Sequence, residues 1–366
     1  MTLKSIAIDG RPFQGSRTGI GRYVYELCSV LDRELTDVNF YIYTNRELNF
    51  TPFSSRWHIC YESNKFLRLI KPALWLKYFA SRLINNQQPF CFWASASFLP
   101  SFLHSQIKTL LTVYDLNFLF VPETMTWSHR LSYQLYFKND IHRASVLMSI
   151  SFGTSDRLYN NFGRNADIVI SPSADKNLFR VPSIDEIDEC KHKYNIITPY
   201  FLAVATLEPR KNLEILLDAF ETLKTQDGVV KDVSLLLVGA DGWKNKILSQ
   251  KVVNSTGIRR LGFVPDDDLR TLYAGSVSLV FPSRYEGFGM PVLEARLCGA
   301  MVIASDIPEI REAGGEEICY INPDHDQLVL AMKNALELNF KLNEEVRTSW
   351  TVSGKMLASA ISALLT

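Results

Sequence analysis

Short apolar runs alternate with amphipathic stretches along the second half of the sequence. The run "YFLAVAT" (200–206) is apolar throughout, as in a strand covered on both faces of a sheet. "NLEILLDAFETL" (212–223) follows with apolar residues at helical spacing and Asn212 as its N-cap. Five further runs read as strands, with helical patterns between several of them: "VSLLLVG", "IRRLGFV", "VSLVFPS", "AMVIAS" and "EICYIN". This alternation predicts an α/β fold with a parallel, doubly wound sheet.

The first half repeats the pattern less regularly. Strands are predicted at "SIAID", "VNFYIYT", "PFCFWAS", "KTLLTVYD", "SVLMSIS" and "ADIVISP". A chain of 366 residues is long enough for two cores. The acidic stretch "VPSIDEIDECKHK" (181–193) is the predicted junction, so we expect one domain over 1–180 and another over 181–349. Two such sheets imply a cleft, and ligands bind beyond the carboxyl ends of parallel strands.

Composition excludes several classes of protein. Hydrophobic residues make up 47% and charged residues 21%, as in an ordinary soluble globular protein. The start "MTLKSIAIDG" does not resemble a secretion signal, and no apolar run reaches the roughly 18 residues that span a bilayer. The six cysteines form no C-x-x-C pair, and the histidines have no metal-ligand spacing. We therefore expect reduced thiols in a cytoplasmic protein that holds no metal.

Charge is distributed unevenly, although the net charge is zero. Residues 1–180 carry 20 Lys and Arg against 13 Asp and Glu, and the remaining residues carry the opposite imbalance. The two halves could meet different partners, or they could be two differently solvated domains that attract each other. Without an overall basic charge or a recognised motif, nucleic acid is not an expected partner.

The loop "SRYEGFGMPVLEA" (283–295) follows a predicted strand. Gly287 and Gly289 would let its backbone pass close to a ligand, and the next helix would offer its N-terminus to a phosphate. Glu286 lies in the loop and Glu294 about one turn into the helix, where carboxylates can accept hydrogen bonds from vicinal sugar hydroxyls. Alternatively, they are a surface carboxylate and a partner of the helix dipole.

The stretch "LEPRKNLE" (207–214) places Arg210 and Lys211 between a strand end and a helix start. Two cations at this position oppose the positive end of the helix dipole. A bound pyrophosphate would remove that conflict, so we expect the pair to bind an anion rather than to be two solvated basic residues.

The third loop, within "IDGRPFQGSRTGIGRY" (8–23), follows the first strand. Gly15, Gly19 and Gly21 make it flexible before an apparent helix that starts with "IGRY". It lacks the G-x-G-x-x-G spacing of a dinucleotide pocket. It is either a loop that closes over phosphates or an ordinary surface loop.

Taken together and in this order, "LEPRKN", "LGFVPDDDL" and "SRYEGFGMPVLEA" resemble the retaining glycosyltransferases of family 4. The stretches "TGIGRYVYEL", "VYDLNFLFVPE" and "DIPEIREAGG" also fall in the expected order, so the resemblance covers most of the chain. It implies the GT-B fold, in which two Rossmann-like domains face each other across a cleft. It also implies that the last helix (350–366) packs back on the first domain, which binds the acceptor.

The resemblance also implies roles for individual residues. Glu286 would contact the donor hexose without acting as a nucleophile, and Arg210 and Lys211 would hold the diphosphate and stabilise its departing charge. Glu294 would bind the ribose hydroxyls. The catalytic set would include Tyr114 and Asp115. The remaining donor-binding positions would be Gly19, Gly21, Val264, Ser283, Gly287, Phe288, Gly289, Met290 and Leu293. No metal or other cofactor is expected, because two cations and a helix dipole can neutralise a diphosphate.

The sequence departs from the family pattern in places. Tyr114 precedes Asp115 where family members commonly carry histidine, and a tyrosine is a poor base near neutral pH. "SPSAD" (171–175) replaces an Asn-Gly turn, and Ala205 replaces a glycine. Two alternatives therefore stay open. One is a non-catalytic glycosyltransferase-like subunit that binds a nucleotide or a partner enzyme. The other is a nucleotide-sugar epimerase or hydrolase.

The stretch "KFLRLIKPALWLKYFASRL" (65–83) interleaves basic residues with aromatic and aliphatic ones: Lys65, Arg68, Lys71, Lys77 and Arg82 with Phe66, Leu69, Trp75, Tyr78 and Phe79. Such a pattern suits the surface of an anionic membrane, or a helix packed on the first sheet. The expected protein is a glycosyltransferase at the inner face of the cytoplasmic membrane. It would move a hexose, expected to be mannose from GDP-mannose, to a lipid-linked bacterial surface polysaccharide such as O-antigen.

Overall fold

The chain divides into two units in the computed structural model, which describes residues 4–15, 19–226, 232–240, 251–252, 255–337 and 349–365. Unit 1 comprises 1–118, 126–173 and 349–366, and unit 2 comprises 119–125 and 174–348. Segment 119–125 lies inside the predicted first domain, yet it groups with unit 2. Its Phe120 ring stacks on Tyr285, with 5.4 Å between the ring centroids. This long-range stacking has no local sequence signal.

Unit 1 is built on a seven-stranded parallel sheet with the order β3-β2-β1-β4-β5-β6-β7. The strands are β1 Lys4–Asp9, β2 Val38–Thr44, β3 Trp57–Tyr61, β4 Cys91–Ala94, β5 Lys108–Val113, β6 Val146–Ser149 and β7 Ile168–Val169. Six of the seven were predicted from apolar runs. The seventh, β3, was not predicted: it is an edge strand in which Trp57 is buried and the four residues after it are partly or fully exposed. An edge strand has no need of a continuous apolar run.

Helices lie between β1 and β2, β3 and β4, β5 and β6, and β6 and β7, whereas residues 45–56 and 95–107 join their strands without a helix. Those of the first half are α1 Gly19–Glu34, α2 Lys65–Arg68, α3 Pro72–Tyr78, α4 Ala80–Gln87, α5 Asn117–Phe120, α6 Trp127–Arg143 and α7 Phe152–Phe162. The stretch 65–83 therefore forms three short helices rather than one long amphipathic helix. Pro72 begins the second of them because proline is tolerated in a first helical turn.

Unit 2 contains a six-stranded parallel sheet with the order β10-β9-β8-β11-β12-β13. The strands are β8 Tyr200–Val204, β9 Ser234–Val238, β10 Ile258–Gly262, β11 Ser278–Phe281, β12 Val302–Ser305 and β13 Cys319–Ile321. The described helices are α8 Ile184–Lys193, α9 Leu213–Thr225, α10 Asp266–Gly275, α11 Met290–Leu297, α12 Pro308–Gly314 and α13 His325–Glu337. The predicted parallel, doubly wound architecture is confirmed in both units.

The last helix, α14 (Trp350–Leu365), belongs to unit 1 although it follows unit 2 in sequence. It packs along α1, and Gly354 lies so close to Val30 that an added Cβ would come within 2.3 Å of the Val30 side chain. Ser353 Oγ donates a hydrogen bond to the carbonyl oxygen of Ser171. A residue without a side chain is thus required at the crossing of the two helices.

Candidate active site

Two neighbouring strands in the middle of the unit 2 sheet bring the predicted loops together. β8 and β11 are parallel, so the loops after them emerge at the same edge. Residues Pro209–Lys211 form a short 3-10 helix after β8, and Ser283 follows β11. The backbone N–H of Arg284 donates to the carbonyl oxygen of Arg210 at 2.9 Å, which joins the two loops directly.

Glu286 lies between the two predicted cations. Its Oε2 accepts a hydrogen bond from Arg210 Nη1 at 2.7 Å, and its Oε1 accepts one from Lys211 Nζ at 2.6 Å. Arg210 Nε also donates to Glu208 Oε2 at 2.9 Å. Glu286 and Lys211 are both buried. Glu286 and Glu208 therefore pair with the two cations, and the binding of an anion by Arg210 and Lys211 stays a prediction.

The pKa of Glu286 reflects these neighbours. Burial would raise it, but the charges of Lys211 and Arg210 and the hydrogen bond from Lys211 lower it to about 2. Burial lowers the pKa of Lys211, and Glu286 counteracts that effect. The carboxylate is thus ionised at neutral pH, and it holds both cations at the strand ends.

The start of α11 faces the same loop. Gly289 is its N-cap with φ of +116°, a left-handed conformation that glycine adopts without strain. A proline occupies the first turn, as predicted. Free N–H groups at such a helix start attract anions. The other predicted residues of this segment adjoin it: Ser283, Phe288 and Leu293 are buried, and Gly287 and Met290 are partly exposed.

Glu294 lies on α11 and is buried. Its Oε2 accepts a hydrogen bond from the hydroxyl of Tyr273 at 3.0 Å. Tyr273 comes from α10 and is completely buried, and burial raises its pKa, with Glu294 as the next cause. Tyr273 was not predicted as a site residue, because it has the helical spacing of an ordinary core residue. Val264 lies between β10 and α10 and is buried.

Asn212 departs from its predicted role. It precedes α9, but its φ is +56° and its side chain does not cap the helix. Instead, Asn212 Oδ1 accepts a hydrogen bond from Arg284 Nε at 3.0 Å, and its Nδ2 donates to the carbonyl oxygen of Pro323. The residue links the loops after β8 and β11.

Tyr114, Asp115, Gly19 and Gly21 lie in unit 1. The hydroxyl of Tyr114 donates to the carbonyl oxygen of Ser95 at 2.6 Å, and burial raises its pKa. The hydroxyl proton of Tyr114 is thus used in a hydrogen bond to the backbone. To donate to a sugar, the hydroxyl would have to break this bond, so a role for Tyr114 in catalysis stays a prediction. Asp115 Oδ1 and Oδ2 accept hydrogen bonds from the backbone and side-chain amides of Asn117.

The two glycines begin α1 rather than forming a loop. Gly19 is its first residue, and Gly21 is buried in the first turn. The part of the predicted flexible loop at residues 16–18 lies outside the described residues. Across the described part of the chain, no three His, Cys, Asp or Glu side chains are grouped so as to hold a metal ion.

The sequence of unit 2 matches a known protein family. The model of the family described as glycosyl transferases group 1 matches residues 186–351. O-antigen chain mannosyltransferase B of Escherichia coli is 30% identical over 230 residues, which are 60% of this chain and 59% of that protein. The serotype-specific mannosyltransferase WbdA of Escherichia coli is 29% identical over 243 residues, 62% of this chain and 30% of that protein. The chain thus spans less than two thirds of these relatives.

A solved structure resembles the whole chain. HepE of Anabaena, in complex with UDP and glucose, has a TM-score of 0.66 and 16% sequence identity. The similarity covers 99% of this chain and 97% of that one. At this identity it shows the fold, which is GT-B, as the resemblance in the sequence implied.

Proposed function

We propose, on the premise that residues 186–351 belong to the glycosyl transferases group 1 family, that the protein is a retaining hexosyltransferase using a nucleoside-diphosphate sugar. The observation that carries the proposal is the cluster of Arg210, Lys211 and Glu286 at the ends of β8 and β11. Arginine and lysine bind phosphate oxygens strongly, and they are held next to a helix N-terminus.

The charge pattern suits departure of a diphosphate. Its oxygens would replace the Glu286 carboxylate as acceptors for Arg210 and Lys211, since the same N–H groups can serve either anion. Both cations would then stabilise the negative charge that grows as the bond from the anomeric carbon to the phosphate oxygen breaks. Glu286, once released, would orient the hexose hydroxyls and face the positive charge that develops on the ring.

The transfer step balances without a protein nucleophile. The acceptor hydroxyl oxygen bonds to the anomeric carbon on the face from which the diphosphate departs, and its proton passes to a diphosphate oxygen. Attack on that face retains the anomeric configuration. A buried carboxylate such as Glu294 would meanwhile accept hydrogen bonds from the ribose hydroxyls. The step needs no metal or other cofactor, because Arg210 and Lys211 supply the positive charge that stabilises the departing diphosphate.

The relatives support a more specific proposal about substrates. Two of them are named as mannosyltransferases, one of them for an O-antigen chain. We therefore propose mannose from GDP-mannose as the donor and a lipid-linked oligosaccharide of a bacterial surface polysaccharide as the acceptor.

A lipid-linked acceptor would bring the protein to a membrane surface, and unit 1 has a segment suited to that contact. In α2 and the turn after it, Phe66 and Leu69 are 82% and 80% exposed, and Lys65, Arg68 and Lys71 are exposed beside them. Exposed apolar residues flanked by cations favour anionic lipid headgroups. Within the described residues, no helix is long and apolar enough to cross a bilayer. We propose peripheral attachment through this segment.

Two basic residues of the predicted membrane-binding stretch are instead paired with buried carboxylates. Lys77 is buried, and its Nζ donates to both carboxylate oxygens of Asp140 at 2.7 Å. Arg82 donates to Glu62, which is fully buried. The membrane proposal therefore rests on residues 65–71 alone.

The donor site is tested by thermal unfolding with GDP, UDP, ADP and CMP, each with and without EDTA. A nucleotide at a hundred times its Kd should stabilise the wild type by about 2.7 kcal/mol. We expect one nucleoside diphosphate to do so, EDTA to leave the shift unchanged, and Arg210→Ala to remove it. Arg180→Ala is the matched control, because it removes an arginine that pairs with Glu186 and not with Glu286. Absence of a shift with all four nucleotides would contradict the proposal.

A further inference from the structure

Polar side chains gather at the carboxyl ends of three adjacent strands in unit 1. β1 ends at Asp9, Ser97 follows β4, and Asp115 follows β5; β4 lies between the other two strands. In a parallel sheet these ends lie at one edge, where ligands bind. Of these three residues, the resemblance in the sequence assigns a role only to Asp115, and the proposed function uses none of them.

Arg11 is held rigidly at this edge. Its Nε and Nη2 donate to the carboxylate of Asp9, and Nη2 also donates to the carbonyl oxygen of Ala96 at 2.7 Å. Asp9 is fully buried, and the Arg11 side chain is mostly buried. Among the described residues, Nη1 donates no hydrogen bond, so a fixed guanidinium retains donors for a ligand.

Aromatic rings form the wall beside Arg11. The ring of Tyr133 on α6 lies 4.8 Å from that of Phe98, 4.9 Å from that of Phe118 and 5.2 Å from the imidazole of His129, measured between centroids. Burial raises the pKa of Tyr133 to about 12, with Asp115 as the next cause, while Ser97 and Arg11 lower it. The phenol thus stays protonated near Asp115, Ser97 and Arg11, where it can donate a hydrogen bond.

Two local features cost stability at the same edge. Ser97 is buried and has φ of +72°, an uncommon conformation for a residue other than glycine. Residues held in such regions cluster at ligand sites. In addition, no donor among the described residues bonds to the buried Asn117 Oδ1, although Asn117 Nδ2 donates to Asp115. A buried acceptor of this kind gains stability when a hydroxyl donates to it.

The charges at this edge distinguish between classes of ligand. Arg11 is balanced by Asp9, and Asp115 adds a further carboxylate, so the edge is not suited to a phosphate. It offers instead a guanidinium, hydroxyl donors, amide and carboxylate acceptors, and the faces of aromatic rings. A neutral ring that carries several hydroxyl groups can use all of these groups.

We infer that Arg11, Ser97, Asn117, His129 and Tyr133 bind the saccharide of the acceptor, and that the aromatic rings pack against the sugar. This inference rests on the proposed function in one respect: the bound sugar is the acceptor only if the protein is a glycosyltransferase. The binding itself involves only unit 1 residues, so it can be measured without turnover.

The test is saturation-transfer NMR on the full chain with the methyl α-glycosides of mannose, glucose, galactose, rhamnose and N-acetylglucosamine. We expect at least one glycoside to receive saturation from the wild type. His129→Phe and Tyr133→Phe each keep a ring in place while they delete the polar atoms. We expect each to reduce that signal at least fivefold. His142→Phe and Tyr136→Phe, on the same helix, are the matched controls and should keep the signal.

Two further arms separate this site from the donor site. The signal should persist with saturating GDP and in Arg210→Ala, because both changes act on unit 2. The inference is overturned if no glycoside receives saturation, if the His129 and Tyr133 variants retain the signal, or if GDP removes it. Failure of the proposed function gives a different result: no nucleotide stabilises the protein, while the glycoside signal and its loss in the two variants are unaffected.

Discussion

At the scale of single residues, the proposed ribose contact depends on a tyrosine from another helix. Tyr273 donates to Glu294 and fixes the direction of its carboxylate. The variant Tyr273→Phe keeps the aromatic ring and removes the one hydrogen bond that Tyr273 donates to the Glu294 carboxylate. A hydrogen bond to a charged group contributes about 1.5–3 kcal/mol. We therefore expect Kd for the stabilising nucleoside diphosphate to rise about tenfold or more, as measured by titration calorimetry.

Inorganic pyrophosphate provides the control for this variant, because it lacks the ribose. Its affinity should be equal in the wild type and Tyr273→Phe. A variant that weakens pyrophosphate and nucleotide alike would show that Tyr273 supports the fold of the whole site rather than the ribose contact.

The carboxylate of Glu286 gives a prediction about acid stability. Its pKa of about 2 in the folded protein lies below the value of 4.5 for a free glutamate. A lowered pKa stabilises the fold above the unfolded pKa, and this contribution is lost as the pH falls from about 4.5 to 2. We expect the stability advantage of the wild type over Glu286→Gln, measured by urea unfolding, to be large at pH 7 and to shrink at pH 3. An advantage that is the same at both pH values would contradict the ion-pair geometry.

At the scale of elements, the crossing of α14 over α1 depends on Gly354. A Cβ at this position would overlap the side chain of Val30. Overpacking of this kind costs about 1–3 kcal/mol. We expect Gly354→Ala to lower the free energy of unfolding by about that amount, measured by denaturant unfolding.

Reducing the facing side chain should restore part of this loss. In the double variant Gly354→Ala with Val30→Ala, the new methyl group occupies space that valine leaves. We expect the two substitutions to be less destabilising together than the sum of the two alone. Strict additivity would show that the helices do not meet at these residues.

At the scale of the whole molecule, part of the basic excess of the first half lies on an exposed surface of unit 1. Phe66, Leu69 and the cations beside them are exposed in α2 and the turn after it. Replacing both apolar residues by serine should reduce sedimentation with vesicles of phosphatidylcholine and phosphatidylglycerol several-fold. Added salt should weaken the wild-type binding as well, since electrostatic attraction to lipid is screened.

The matched control for the vesicle experiment is Ile197→Ser, which removes an even more exposed apolar residue from unit 2. It should leave sedimentation unchanged. If the wild type fails to sediment with anionic vesicles, or if the Phe66 and Leu69 variant sediments equally well, the membrane proposal is wrong.

The sequence by itself determined the α/β architecture and the neighbourhood of the donor loops. Runs such as "VSLVFPS" are buried on both faces, and this burial leaves a continuous apolar signature. Loops after parallel strands emerge at one edge, so the strand assignments place Arg210 and Glu286 at the same edge, and the pairing of β8 with β11 makes them neighbours. β3 escaped prediction because an edge strand is exposed on part of its surface.

Only the tertiary structure decided which partners these residues meet. The pairing of Glu286 with both cations, the bond from Tyr273 to Glu294 and the burial of Lys77 against Asp140 each join residues far apart in sequence. Local spacing reports periodicity and turn chemistry, which depend on neighbours along the chain. Hydrogen-bond partners and burial depend on how separate elements pack. A lysine that reads as a surface cation can therefore be the buried half of an ion pair.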